Sequence, residues 1–240
     1  MFLLANNANV AEATDIAFNG SDIVVSGTAD GHAVYWKNGI INYLPEFGAR
    51  YSKAVAVAIK DGNVYFAGNL ESDLKTHACI WQNGLITVLS TEHSLGLGVG
   101  INGADVYVTG SVAYKDPITG SNATKAVYWK NALQFSINND NALSSLTRGI
   151  AFINNEPIFV GRLDYNGQPG TATYWKNGSP IKISNGLAHS SAFAIKIVDS
   201  DIYIAGTSAG GYATVWKNGI PTQLSQVIST VRAIDIKKRN

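Results

Sequence analysis

With 240 residues, a formal charge of +1 and only 15% charged side chains, the chain has room for one large domain and offers no electrostatic footprint for nucleic acid; its one basic run, Lys237-Lys238-Arg239, stands at the end. The single cysteine, Cys79, excludes an intrachain disulfide and, in a slot filled elsewhere by Val34, Val127, Thr173 and Thr214, reads as a small buried residue. The apolar start, Met1 to Ala5, has no basic region and turns polar at Asn6-Asn7, which is too short for a signal peptide or a membrane span.

In chain order, residues 1–7 (MFLLANN) match the pattern of a short strand that recurs later as ITVLSTE (86–92) and PTQLSQV (221–227). A strand of small residues alternating with larger apolar ones follows, TDIAF (14–18), then an Asn19-Gly20 turn and the strand DIVVSG (22–27). A loop leads to AVYWKNG (33–39), whose Asn-Gly pair is a strong two-residue hairpin signal, and the fourth strand IINYL (40–44) completes the unit. The same order returns four times. The first strands are VAVAI (55–59), LGVGI (97–101), RGIAF (148–152) and FAIKI (193–197), and the second strands end in Gly68, Gly110, Gly161 and Gly206 as the first unit's ends in Gly27. The third strands read ACIWQNG (78–84), AVYWKNA (126–132), ATYWKNG (172–178) and ATVWKNG (213–219). Successive tryptophans, Trp36, Trp81, Trp129, Trp175 and Trp216, are 45, 48, 46 and 41 residues apart. TVRAIDI (230–236) is a sixth copy of the first strand.

A period in the forties with four short strands per unit predicts a β-propeller filling residues 1–240 as a single domain. The reading is a five-bladed, all-β ring of four-stranded antiparallel blades. The alternative is a six-bladed ring with an incomplete blade made by the two ends. Taking Ile16, Val57, Val99, Ile150 and Ile195 as equivalent, strand alternation puts their neighbours on the opposite, small-residue face, so the first strand is expected innermost. That face carries Asp15 and Lys196, expected to pair as an ion pair that closes the ring.

The order of small-apolar strand, Ile-Tyr-Val-Ala-Gly-like strand, variable loop and Ala-x-Tyr-Trp-x-Asn-Gly resembles the HAF-type extracellular repeats and, more distantly, Kelch repeats. The resemblance rests on Gly68 and Gly206 after their Val-Tyr and Ile-Tyr strands, and on Ala33, Ala78, Ala126, Ala172 and Ala213 three places before each Trp. It covers residues 14–236 and implies a propeller scaffold on an extracellular or envelope-associated bacterial protein, with no implied activity.

A tryptophan fixed at one slot of every unit reads as packing. His32 and His77 share a slot four before Trp36 and Trp81 and are expected at the surface; His93 and His189 share another, on loops leading into first strands. Neither set gives the three or four converging ligands of a metal site. No nucleophile elbow, phosphate loop or zinc motif is present, so no catalytic residue, metal or cofactor is assigned. The expected function is a non-enzymatic scaffold that binds a protein or glycan ligand; the alternatives are a lectin-like carbohydrate-binding propeller and a propeller hydrolase or lyase. Length varies only in the loops between second and third strands and between fourth and first strands, led by residues 112–125, and propeller geometry puts both sets on one face. The expected contacts there are Tyr114, Lys115, Arg162, Tyr165, His93 and His189. The hairpin face opposite is expected to be flat.

Overall fold

The computed structural model describes residues 8–117 and 120–236. They form twenty strands in five four-stranded antiparallel sheets, the blades of a five-bladed β-propeller, with no helix among the described residues. Blade 1 comprises β1 (Ala11–Asn19), β2 (Asp22–Ala29), β3 (His32–Lys37) and β4 (Ile40–Tyr43). Blade 2 comprises β5 (Tyr51–Lys60), β6 (Asn63–Ser72), β7 (Lys75–Gln82) and β8 (Leu85–Val88). Blade 3 comprises β9 (Ser94–Asn102), β10 (Asp105–Lys115), β11 (Asn122–Lys130) and β12 (Leu133–Ser136). Blade 4 comprises β13 (Ser144–Ile153), β14 (Glu156–Asp164), β15 (Thr171–Lys176) and β16 (Ser179–Lys182). Blade 5 comprises β17 (Ser191–Val198), β18 (Asp201–Ser208), β19 (Tyr212–Lys217) and β20 (Ile220–Ile228). In every sheet neighbours in sequence are neighbours in space. Contact density divides the chain into two compact units, Met1–Val112 with Trp129–Phe135, and Ala113–Tyr128 with Ser136–Asn240.

In the first unit β1 lies against β5 and β5 against β9; in the second, β13 lies against β17. First strands of consecutive blades therefore line the inner edge, as the small-residue pattern predicts. The tryptophans are all buried, none more than 1% exposed. Trp81 packs in a cluster with Val24, Ala33 and Leu44 of the preceding blade, and Trp216 with Ile158, Val160 and Ile183. The tryptophan is thus the wedge between one blade and the next, and burying so large a ring is a leading apolar contribution at each junction.

The recurrent glycine has a steric cause. A Cβ on Gly68 would stand 2.0 Å from the Lys53 carbonyl oxygen and 2.9 Å from Cζ3 of Trp81; on Gly27 the figures are 2.1 Å from the Glu12 oxygen and 2.7 Å from Trp36. The inner strand presses its backbone on one side of the glycine and the tryptophan ring fills the other. The inner strand presses there because it bulges. Register shifts place one extra residue at the same slot of every first strand: Thr14, Val55, Leu97, Arg148 and Phe193. A bulge bends the strand and re-aims its side chain.

A serine staple also recurs. The amide of the alanine three before each Trp donates to a serine Oγ five before the next inner-strand Ile or Val: Ala33 to Ser52 (2.7 Å), Ala78 to Ser94 (2.9 Å), Ala126 to Ser145 (2.8 Å), Ala172 to Ser190 (2.9 Å) and Ala213 to Ser229 (3.2 Å). Ser229 introduces the sixth copy of the first strand. That copy does not form a strand: residues 229–236 have no regular secondary structure. The expected fourth-strand match at residues 1–7 lies outside the described residues.

Asp15 and Lys196, expected to pair with each other, each have partners within their own unit. Lys196 Nζ pairs with Asp235 at 2.9 Å, one residue after Ile234 as Lys196 is one after Ile195. Asp15 instead accepts from the amides of Ile16 (2.9 Å) and Val57 (3.0 Å). Burial pushes its carboxyl up, with the two amides pulling the other way.

Candidate functional site

The six residues expected on the loop-rich face lie at strand ends or in the loops beside them. Residues 112–125 are for the most part not loop at all, because β10 runs on to Lys115 and β11 starts at Asn122. Tyr114 and Lys115 close β10, Arg162 lies in β14, Tyr165 follows it, and His93 and His189 precede β9 and β17. The Tyr114 hydroxyl donates to the Leu143 carbonyl (2.9 Å) beneath the Lys125 ammonium, 4.2 Å from the ring centroid. The Tyr165 hydroxyl donates to Asp140 (2.6 Å), which also pairs with Lys182 (3.0 Å). The two tyrosines thereby grip the same segment, 140–143, from opposite ends. Arg162 Nε pairs with Asp164 (2.9 Å). The shared histidine slot is a clamp: His93 Nδ1 accepts from the Thr76 amide (3.1 Å) and His189 Nδ1 from the Gly170 amide (2.9 Å), each five residues before its Trp. His32 Nδ1 meets Glu46 at 3.0 Å, and the buried Ser52 hydroxyl donates to the same carboxylate at 2.7 Å. The carboxylate stands between serine and histidine, so the histidine has no path to the hydroxyl proton.

The hairpin face is built by a second repeated device. In blades 1, 3 and 5 the Asn that follows the turn lysine accepts the amide of the second strand with its Oδ1, as Asn131 does from Val106 (2.9 Å), and donates to that strand's Asp, as Asn131 does to Asp105 (2.7 Å). The neighbouring lysine pairs with the same Asp: Lys37–Asp22 at 2.8 Å, Lys130–Asp105 and Lys217–Asp201 at 2.7 Å. The lysine and asparagine bonds hold Asp22, Asp105 and Asp201 below the usual carboxylate range. Lys130 and Lys217 also cover the rings of Tyr107 and Tyr203, at 5.5 and 5.3 Å.

Blade 4 departs from this device, with Glu156 in the aspartate slot and Pro157 offering no amide N–H, and blade 2 departs further. Gln82 stands in the lysine slot and Asn63 in the aspartate slot, so neither charge is present; Gln82 Nε2 reaches the Tyr65 hydroxyl at 3.4 Å, and Asn83 donates to Asn63. The face is not flat there. A cleft of about 340 Å³ opens between blades 2 and 3, lined by Tyr65, Ile80, Gln82, Thr87 and Leu89 from one side and by Val106, Val108, Trp129 and Asn131 from the other. A second cleft of about 290 Å³ opens at the equivalent place between blades 1 and 2, but Asp22 and Lys37 stand in its wall. The expectation of a featureless hairpin face is therefore corrected. Short, uniform turns fix only the rim, and the space beneath depends on side-chain volume at the junction.

The cleft between blades 2 and 3 has an uncharged lining of two aromatic rings, two side-chain amides and two hydroxyls, besides its aliphatic residues. Trp129, in its wall, also lacks a bond that two other tryptophans make. Trp81 Nε1 donates to the Pro45 carbonyl and Trp175 Nε1 to the Asn138 carbonyl, both at 2.7 Å, whereas the buried Nε1 of Trp129, like that of Trp36, has no partner among the described residues. The repeat-equivalent acceptor for Trp129, the Ser90 carbonyl, is taken by His77 Nδ1 at 3.1 Å.

No protein-family model matches the sequence, and no curated relative matches it. Among solved structures, one similar fold is a Thermus thermophilus protein whose assignment as an oxidoreductase, a glucose dehydrogenase, is itself provisional: 12% identity, TM-score 0.54, covering 96% of this chain and 89% of that one. Another is an arginine-to-alanine triple mutant of AofleA from Arthrobotrys oligospora: 14% identity, TM-score 0.51, covering 95% of this chain and 76% of that one. At such identities the likeness concerns the fold alone.

Proposed function

We propose that this chain is a non-enzymatic binding protein whose ligand is an uncharged, hydroxyl-rich molecule of the glycan class, held in the cleft between blades 2 and 3. The observation that supports it is the replacement of the Lys–Asp pair by Gln82 and Asn63 in blade 2, beside that cleft. A charged pair in the wall would hold water that a neutral ligand must displace. An amide beside an aromatic ring instead offers one donor, one acceptor and an apolar face, which suits sugar hydroxyls and C–H groups. The test is a glycan array followed by calorimetry on the best hit. Binding should fall at least tenfold in Tyr65→Ala. It should be abolished in the double variant Asn63→Asp/Gln82→Lys, which installs the ion pair that other blades carry and so leaves the fold intact. Binding unchanged by that double variant would overturn the assignment.

A second reading, a protein partner on the loop-rich face, is favoured by the rigid seating of Tyr114 and Tyr165 around residues 140–143. Its contacts would be those tyrosines and the exposed Lys115.

A further inference from the structure

Two exposed apolar residues stand at turn positions that the repeat gives elsewhere to Asp, Asn or Gly. Phe47 has φ +50° and opens a two-residue turn with Gly48, closed by the Ala49 amide on the Glu46 carbonyl at 2.9 Å. The matching turn before β13 is Asp140-Asn141, closed in the same way by Ala142 on Asn139. Ala49 and Ala142 share a slot, each eight residues before its inner-strand Val57 or Ile150. Leu74 has φ +64° and ends the Asp73-Leu74 turn between Ser72 and Lys75, where the corresponding turn of blade 1 is Asp30-Gly31. Left-handed backbone is disfavoured for bulky L-residues, and turns of this kind favour Asn, Asp or Gly at both central places. Yet Phe47 is 78% and Leu74 94% exposed, so no packing within the chain offsets the strain. Both turns stand at one end of the β5–β6 pair: the Arg50 amide donates to the Glu71 carbonyl at 2.8 Å, and Tyr51 pairs in register with Glu71. We propose that Phe47 and Leu74 are paired apolar anchors that dock this chain peripherally on a zwitterionic lipid surface.

A plainer account is that the two residues are drift on tolerant turns. Drift does not explain why the Phe47 turn is braced. Its first residue, Glu46, meets His32 Nδ1 at 3.0 Å and accepts from the hydroxyl of the fully buried Ser52 at 2.7 Å. A buried hydroxyl and a carboxylate thus hold a turn whose tip stands in solvent. A protein is the other occupant to weigh. The two side chains together present on the order of 300 Å² of apolar surface, against about 800 Å² per partner for a stable protein interface. They also stand on two separate turns, not in one patch. A fluid bilayer takes such side chains one at a time at its headgroup–acyl boundary, with no need of matching pockets. The charges beside them are mixed: Arg50 and Lys75 against Glu71 and Asp73, with Lys75 paired to Glu92 at 3.7 Å. That balance offers no attraction to an anionic headgroup layer, which selects clustered Lys and Arg. Apolar insertion is the force that remains, and it suits phosphatidylcholine.

The probe is phosphatidylcholine vesicles at physiological ionic strength, with flotation as the readout and Tm measured on every variant. The native protein should float with the vesicles. Phe47→Asn and Leu74→Gly should each lower the partition coefficient by about tenfold or more, and the double variant should abolish it. Both changes install residues that the turns prefer, so Tm should hold or rise, which separates lost docking from lost folding. Ile40→Asn, an exposed apolar position on the Lys-Asn-Gly hairpin, should float as the native protein does. So should Asn63→Asp/Gln82→Lys, which keeps this surface distinct from the cleft between blades 2 and 3. Replacing part of the lipid by phosphatidylglycerol should not strengthen binding. No flotation of the native protein would overturn the proposal and leave a protein partner as the occupant. Equal flotation by the double variant, or binding that depends on phosphatidylglycerol, would overturn it as well.

Discussion

Replacing Gly68 by alanine tests the account of the Gly–Trp repeat most directly. Gly68 pairs with Ala54 beside the bulge of β5, and nothing about its backbone requires positive φ. An added Cβ would meet the Lys53 carbonyl oxygen at 2.0 Å and Trp81 Cζ3 at 2.9 Å. Ordinary contacts lie near 3.5 Å, so the Lys53 backbone must withdraw by more than about 1 Å. Loss of ladder hydrogen bonding at that point costs about 1–3 kcal/mol, and forcing the wedged indole aside costs about 1–3 more. The expected loss is therefore about 2–6 kcal/mol. Gly84→Ala is the control. Gly84 has φ +83° and nothing within 4 Å of its virtual Cβ, so only the left-handed backbone is penalised, at about 1–2 kcal/mol. Urea unfolding followed by tryptophan fluorescence resolves the two. With a slope of about 3 kcal/mol per molar, Gly68→Ala should lower the midpoint by about 0.7–2 M, and Gly84→Ala by about 0.3–0.7 M. Equal midpoints would refute the argument that carbonyl and indole jointly exclude a side chain.

Trp81→Phe should destabilise by about 1 kcal/mol more than Trp129→Phe, because only the first removes a bonded Nε1 and strands a carbonyl; matched urea titrations check it. Asp15→Asn should raise Tm at pH 7. The folded carboxyl titrates above its unfolded value, so its contribution to stability is full at low pH and falls as pH rises through the folded pKa; the gain should vanish below about pH 4, and a pH-independent difference would count against it. Asp105→Asn has the opposite sign: its folded carboxyl titrates below the unfolded value, so the loss should be present at pH 7 and fade as pH falls through the folded pKa in a Tm series.

The period, the hairpin turns and the burial of the five tryptophans were legible because each is a property of residue type at fixed spacing. The bulge was not. An extra residue in a strand leaves no mark in composition, and alternation counted outward from Ile16 or Ile195 runs smoothly over a window of five residues. That is why the first strands extend three and four residues further toward the N-terminus than 14–18 and 55–59 suggest. The serine staple was present as a recurrence, Ser52, Ser94, Ser145, Ser190 and Ser229, but a serine does not announce which amide it will accept from. The partner of Lys196 failed for a related reason. Asp15 and Asp235 both fall on the inner strand's small face, and only coordinates distinguish the one neutralised by Lys196 from the one held by amides. Length variation pointed to residues 112–125, yet β10 and β11 absorb most of it as a longer hairpin, so loop length overstated the loop.

Where a scaffold repeats five times, its slots divide into those that packing dictates and those that it leaves free. Gly and Trp do not vary, since each excludes or fills a volume that every junction shares. The lysine slot is different. Asp–Lys pairing on an exposed hairpin contributes little net stability, so a change to Gln82 costs the fold almost nothing and alters one junction only. The bulge slot is freer still, tolerating Thr14, Val55, Leu97, Arg148 and Phe193 without loss of register. Substitution at such slots is visible to function and nearly invisible to stability. Packing has no use for a neutral amide where three other blades carry a paired cation. The blade that lost its charge affects one junction only, so binding by this chain is expected to be asymmetric, at one neutral cleft in place of five equal sites.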